Sequence, residues 1–89
     1  MPTISMFYGI IILMFYRDTR QHHLPHIHAR YQGEEAALAI EDGTVLDGRL
    51  PPKQLKLVHA WIELHKEELM VNWDLAVNGE APFRIAPLQ

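Results

Sequence analysis

Cysteine is absent from the 89 residues. Disulfides, thiolate metal sites and cysteine nucleophiles are removed together, and the absence fits a reducing compartment. Long apolar runs are scarce: Ile10 to Tyr16 is seven residues, against roughly 20 for a bilayer span. No basic residue precedes that run, and Arg17-Asp18 follow where a small-residue cleavage site would stand, which argues against a secretory signal. A cytoplasmic protein with no membrane association is expected. A basic excess is missing too: the formal net charge is −3, too acidic for a non-specific nucleic-acid binder. No Gly-rich phosphate loop, nucleophile elbow or HExxH helix occurs.

What is present suffices for a core. The chain is 48% hydrophobic and 21% charged, unlike a disordered segment. A chain of this size buries about two-thirds of its extended surface on folding. Residues 1–89 are read as a single domain, with no repeat or linker. Charge is uneven along it. Residues 1–33 hold Arg17, Arg20 and Arg30 against Asp18, together with the histidines at 22, 23, 26 and 28. Residues 34–48 hold Glu34, Glu35, Glu41, Asp42 and Asp47 and no base. That acidic run is suited to close over the basic segment or to meet a partner.

Periodicity divides the chain in two. Thr3 to Tyr8 reads as a strand ended by Gly9, and Ile10 to Tyr16 as a second strand buried on both faces. Residues 17–25 read as a loop closed by Pro25. His26 to Gln32 alternates, with His26, His28, Arg30 and Gln32 on one face and Ile27, Ala29 and Tyr31 on the other. Glu35 to Ile40 and Thr44 to Asp47 complete about five antiparallel strands over residues 3–47, joined at Glu41-Asp42-Gly43. Over residues 51–78 the period becomes helical. Pro51 or Pro52 opens the helix, and Leu55, Val58, Ile62, Leu69, Trp73 and Ala76 form an apolar stripe widened by Trp61 and Leu64. Asn78-Gly79 stops it. One long helix or two with a bend near His65-Lys66 both fit. Phe83, Ile85 and Leu88 offer an extended tail contacts to the sheet or to a partner. Strands followed by helix give an α+β class, a sheet packed by helices.

The segment from His22 to Tyr31 is the one candidate for chemistry, and three readings stand side by side. His26 and His28, on one strand face, have the separation to converge on a metal, but a third ligand from His22, His23 or an acid is then required. Ordering a loop to bring one in costs about 1–2 kcal/mol per residue, so no resident metal and no cofactor is expected. The second reading is metal-free acid–base chemistry on a phosphodiester. One imidazole takes a proton from an attacking hydroxyl, another protonates the leaving oxygen, and Arg30 offsets charge on the phosphorane. RNA suits it because its 2′-OH is a built-in nucleophile. The third reading is a solvent-facing histidine row with no chemistry. Elsewhere, His65 reads as a partly buried core histidine, His59 as rim, and Trp61 and Trp73 as packing residues.

Several segments together resemble a family. They include Gly9-Ile10-Ile11-Ile12, Pro25-His26-Ile27-His28-Ala29 with Tyr31, and Glu41-Asp42-Gly43-Thr44-Val45-Leu46 with Gly48. Leu50-Pro51, the stretch Trp61 to Leu69, Asn72-Trp73 and Ile85-Ala86-Pro87-Leu88 complete the set. Over nearly the whole chain these resemble the small bacterial domain-of-unknown-function family four-one-six-zero. Leu24 departs from it, standing where a second proline is usual, and the Arg17–Gln21 loop is longer. The resemblance implies an α+β fold and a two-protein module of toxin–antitoxin type. The partner would be a small protein encoded by the adjacent gene, of domain-of-unknown-function family two-four-four-two. His22, His26 and His28 match the family's histidines residue by residue, and with Arg30 they are the candidate catalytic set. The expected function is a toxin-like component acting on nucleic acid, with a metal-independent ribonuclease or phosphodiesterase as the candidate activity. The alternative is a non-enzymatic interaction or transcription-regulatory module. Candidate partners are the paired protein, RNA or DNA, and a second copy of the chain.

Overall fold

The computed structural model describes residues 3–15 and 24–89. Five strands precede two helices: β1 (Thr3–Phe7), β2 (Ile10–Leu13), β3 (His26–Tyr31), β4 (Glu34–Ala39), β5 (Val45–Gly48), α1 (Pro52–Leu64) and α2 (Lys66–Val77). The strands form one antiparallel sheet in the order β1-β2-β3-β4-β5. The expected α+β fold is what the chain adopts. The loop expected over residues 17–25 falls largely outside the described residues, as do Tyr16, His22 and His23.

Two hairpins set the register. Phe7 pairs with Ile10 and Tyr31 with Glu34, each across two residues at positive φ: Tyr8 (50°) and Gly9 (78°), then Gln32 (46°) and Gly33 (83°). Such turns twist with the strands they join, so they close a hairpin without splaying it. The Gln32-Gly33 turn has a consequence for the site, because it fixes Glu35 directly opposite Arg30.

Alternation then assigns the faces. Ile10, Ile12, Ile27, Ala29, Ala36 and Leu38 pack with Val58, Trp61, Ile62, Leu69 and Trp73 in one core. Fully burying a side chain of this kind is worth about 1.5–3 kcal/mol. β2 is shorter than the Ile10–Tyr16 strand expected from composition, and it is not buried on both faces: Ile11 is 36% exposed.

The helical segment is two helices. His65 interrupts it with φ −121° and ψ 24°, while its N–H still reaches the Trp61 and Ile62 carbonyls and its carbonyl accepts from Leu69. Its Nδ1 meets Glu68 Oε1 at 2.7 Å. Glu67 and Glu68 lie in the first turn of α2, where carboxylates offset the positive helix end. Leu64 is 70% exposed and does not widen the apolar stripe: on α1 it lies on the far side of Trp61 from Val58 and Ile62. At the other end, Glu80 N–H reaches Leu75 O and Gly79 N–H reaches Ala76 O, with Gly79 at φ 79°. These are the two bonds of a Schellman stop.

The tail docks by its backbone. Ile85 N–H donates to Ile4 O on β1, and Trp61 Nε1–H donates to Ala86 O. Ile85 is buried in the core and Leu88 packs against it, but Phe83 is 63% exposed and makes no such anchor.

Candidate functional site

The site is a row across two strands. His26, His28 and Arg30 follow one another on β3 at the two-residue period, and Ile27 and Ala29 between them enter the core. The row grades from closed to open. His26 is 1% exposed, the His28 side chain 16% and the Arg30 side chain 42%.

Trp73 of α2 lies against His26 with ring centroids 5.0 Å apart, and the rings of His26 and His28 are 5.2 Å apart. Phe15 meets His28 edge-on at 4.5 Å. His26 Nδ1 lies 2.8 Å from Leu24 O, an oxygen that only accepts, so Nδ1 carries the proton. Two aromatic rings and a backbone carbonyl therefore fix the orientation of this pair.

Glu35 completes the row from the neighbouring strand. Its Oε2 lies 3.2 Å from His28 Nδ1, and its Oε1 accepts from Arg30 Nε. An ionised carboxylate can only accept, so His28 donates through Nδ1. In the neutral ring the lone pair is then on Nε2. A histidine whose Nδ1–H is held by a carboxylate is oriented for proton transfer at its other nitrogen. The same carboxylate steadies a guanidinium whose Nη atoms carry four further donors.

Glu35 is itself held in place. Its carbonyl accepts from Arg49 N–H, and a Cβ built on Gly48 would stand 2.1 Å from that oxygen. Gly48 also has φ +73°. No side chain fits there without moving the backbone that carries the carboxylate.

The sequence placed His26, His28 and Arg30 on one face, and the structure brings these three together. Its remaining site candidate, His22, lies outside the described residues. Glu35 was legible only as part of an acidic run, since its role depends on the hairpin register. Trp73 and Phe15, read as packing and strand residues, border the site. The other two described histidines serve elsewhere. His59 donates through Nε2 to Gly43 O at 2.7 Å and ties α1 to the turn before β5. His65 packs on Trp61 with centroids 5.5 Å apart. Among the described residues no group of three or more His, Asp or Glu could hold a metal ion, and no helix is long and apolar enough to cross a membrane.

The family model described as Domain of unknown function (DUF4160) matches residues 9–74. The chain belongs to this family. The matched span runs from the first hairpin turn into α2 and includes every residue of the DUF4160 chain's histidine row, together with Glu35 and Trp73. No curated protein and no solved structure matches the chain.

Proposed function

We propose that this chain is the toxin-like member of a bacterial two-protein module, works in the cytoplasm, and cleaves RNA through its histidine row. The observation that carries the reading is the single carboxylate of Glu35 shared between His28 and Arg30. In this mechanism Nε2 of neutral His28 takes the proton from an RNA 2′-hydroxyl as that oxygen attacks phosphorus. The Glu35 carboxylate stabilises the imidazolium that forms, and Arg30 stabilises the added charge on the phosphoryl oxygens. The imidazolium then returns its proton to the departing 5′-oxygen. His26, buried beside His28 and against Trp73, acts as a positioning residue. No metal or cofactor enters the scheme, and the paired small protein is the proposed regulator.

Expression of the chain alone is expected to slow bacterial growth, and His28→Ala to relieve it. Inhibition by His28→Ala and His26→Ala equal to that of the parent would show the row to be irrelevant.

A second reading is a non-enzymatic interaction or transcription-regulatory module. It is favoured by the first hairpin, where Met6 is 56% and Tyr8 58% exposed beside Ile11, since a patch of exposed apolar residues marks an interaction site. Its partner would be the paired protein, a nucleic acid or a second copy of the chain. RNA cleavage that depends on His28 would exclude this reading.

A further inference from the structure

The tail from Ala81 to Gln89 holds Pro82 and Pro87 and forms no regular element. Beyond its contacts with β1 and Trp61, its first residues are held by α2. Asn72 is fully buried, and its amide serves Phe83 twice: Nδ2 donates to Phe83 O and Oδ1 accepts from Phe83 N–H, each at 2.8 Å. Burying an amide is costly unless both its ends are bonded. Here both are, and the partner is the backbone of a residue whose ring is 63% exposed. Such a clamp fixes the backbone that carries an aromatic ring without burying the ring.

Beside the ring, Val71 is 52% exposed, and a groove of about 250 Å³ runs between Val71, Asn72 and Phe83 and is bordered by Glu68 and Arg84. Its border carries one carboxylate and one guanidinium, and the exposed face of α2 beside it is acidic. Glu67, Val71 and Asp74 share one face of α2 at i, i+4 and i+7, and all three are exposed. Lys66 is engaged by Glu63 at 3.2 Å. Arg84 is directed to Thr3 O at 3.4 Å.

We propose that this groove docks a protein partner presenting an apolar side chain flanked by lysine or arginine. Three features combine in the proposal. The backbone carrying the aromatic anchor is ordered before binding, so less entropy is lost at the contact. Exposed aromatics of this kind form the energetic centre of interfaces. The carboxylates around it select for basic neighbours, and they disfavour both a nucleic-acid backbone and a second copy bearing the same acids. The surface uses no residue of the histidine row and is independent of the proposed nuclease activity.

The test is selection of a phage-displayed random peptide library on the whole chain, with Phe83→Ala as counter-selection bait. The expected winners carry an aromatic or aliphatic residue between basic ones. A labelled peptide made from them should bind Phe83→Ala about 30-fold more weakly, the loss typical of an interface hot spot. The melting temperature should be unchanged, because the exposed ring supports no core contact. Glu67→Lys should weaken the same peptide and flatten its salt dependence. Enrichment of acidic peptides, affinity unmoved by Phe83→Ala, or a dimer of the chain that Phe83→Ala dissociates would each overturn the proposal.

Discussion

Glu35 carries more of this candidate site than any other residue, because one carboxylate holds an imidazole N–H and steadies a cation. Replacing it separates the two roles. Glu35→Gln keeps an oxygen able to accept from His28 Nδ1–H but loses the ion pair with Arg30, whereas Glu35→Ala loses both. Nitrogen-detected NMR of the His28 ring is expected to show the Nδ1–H tautomer in the parent, largely retained in Glu35→Gln and mixed in Glu35→Ala. An unchanged tautomer in Glu35→Ala would mean that another group holds the ring. Asp42 offers a residue-scale test against pH. The Thr44 backbone N–H at 3.0 Å, with the Thr44 hydroxyl, lowers its carboxyl pKa below the usual value. A lowered folded-state pKa means that the folded protein prefers the carboxylate. The resulting stability is present above the unfolded value of about 3.9 and is lost as pH falls through the folded value. Thermal melts of the parent and Asp42→Asn should therefore differ at pH 6 and converge in stronger acid. A gap that persists in acid would assign the effect to something other than ionisation.

Glycine substitutions make predictions at the level of elements. At Gly33 an added Cβ meets nothing within 4 Å, so Gly33→Ala pays only for its positive φ, about 1–2 kcal/mol. Gly48→Ala pays the same strain and also drives a methyl group into the Glu35 carbonyl. Urea denaturation should show it to be clearly the less stable of the two, and equal stabilities would contradict the placement of β5 against β4. Asn72→Ala tests the tail: two buried hydrogen bonds are lost, for about 1–3 kcal/mol. Amide exchange at Phe83 is expected to speed while exchange in β3 stays slow. Most of the elements were legible beforehand, because alternation from His26 and the helical spacing from Leu55 are strong periodic signals. The misplacement of Leu64 has a physical reason: a periodic pattern marks the centre of a stripe more sharply than its edge, and Leu64 lies just past that edge, beyond Trp61. Period also gives a side chain's face but not its depth, so the burial of His26 under Trp73 could not be read from spacing. Glu35 needed the register that the Gln32-Gly33 turn imposes.

At the scale of the whole molecule, the sheet and the helices divide the work. One face of the sheet gives up its apolar residues to α1 and α2, and the histidine row runs from a closed end under Trp73 to an open end at Arg30. The tail then crosses from the helices to β1 and presents Phe83 exposed beside α2. Under the two proposals, chemistry and partner docking use different residues, so the partner would regulate without entering the site. The claim on which this account rests is that His28 transfers a proton. The direct measurement is cleavage of a labelled single-stranded RNA by purified protein and by His28→Gln, in the presence of chelator, with both shown to melt at the same temperature. The account predicts cleavage by the parent that ends in a 2′,3′-cyclic phosphate and falls at least about 100-fold in the variant. No cleavage by the parent, or equal cleavage by both, would contradict it.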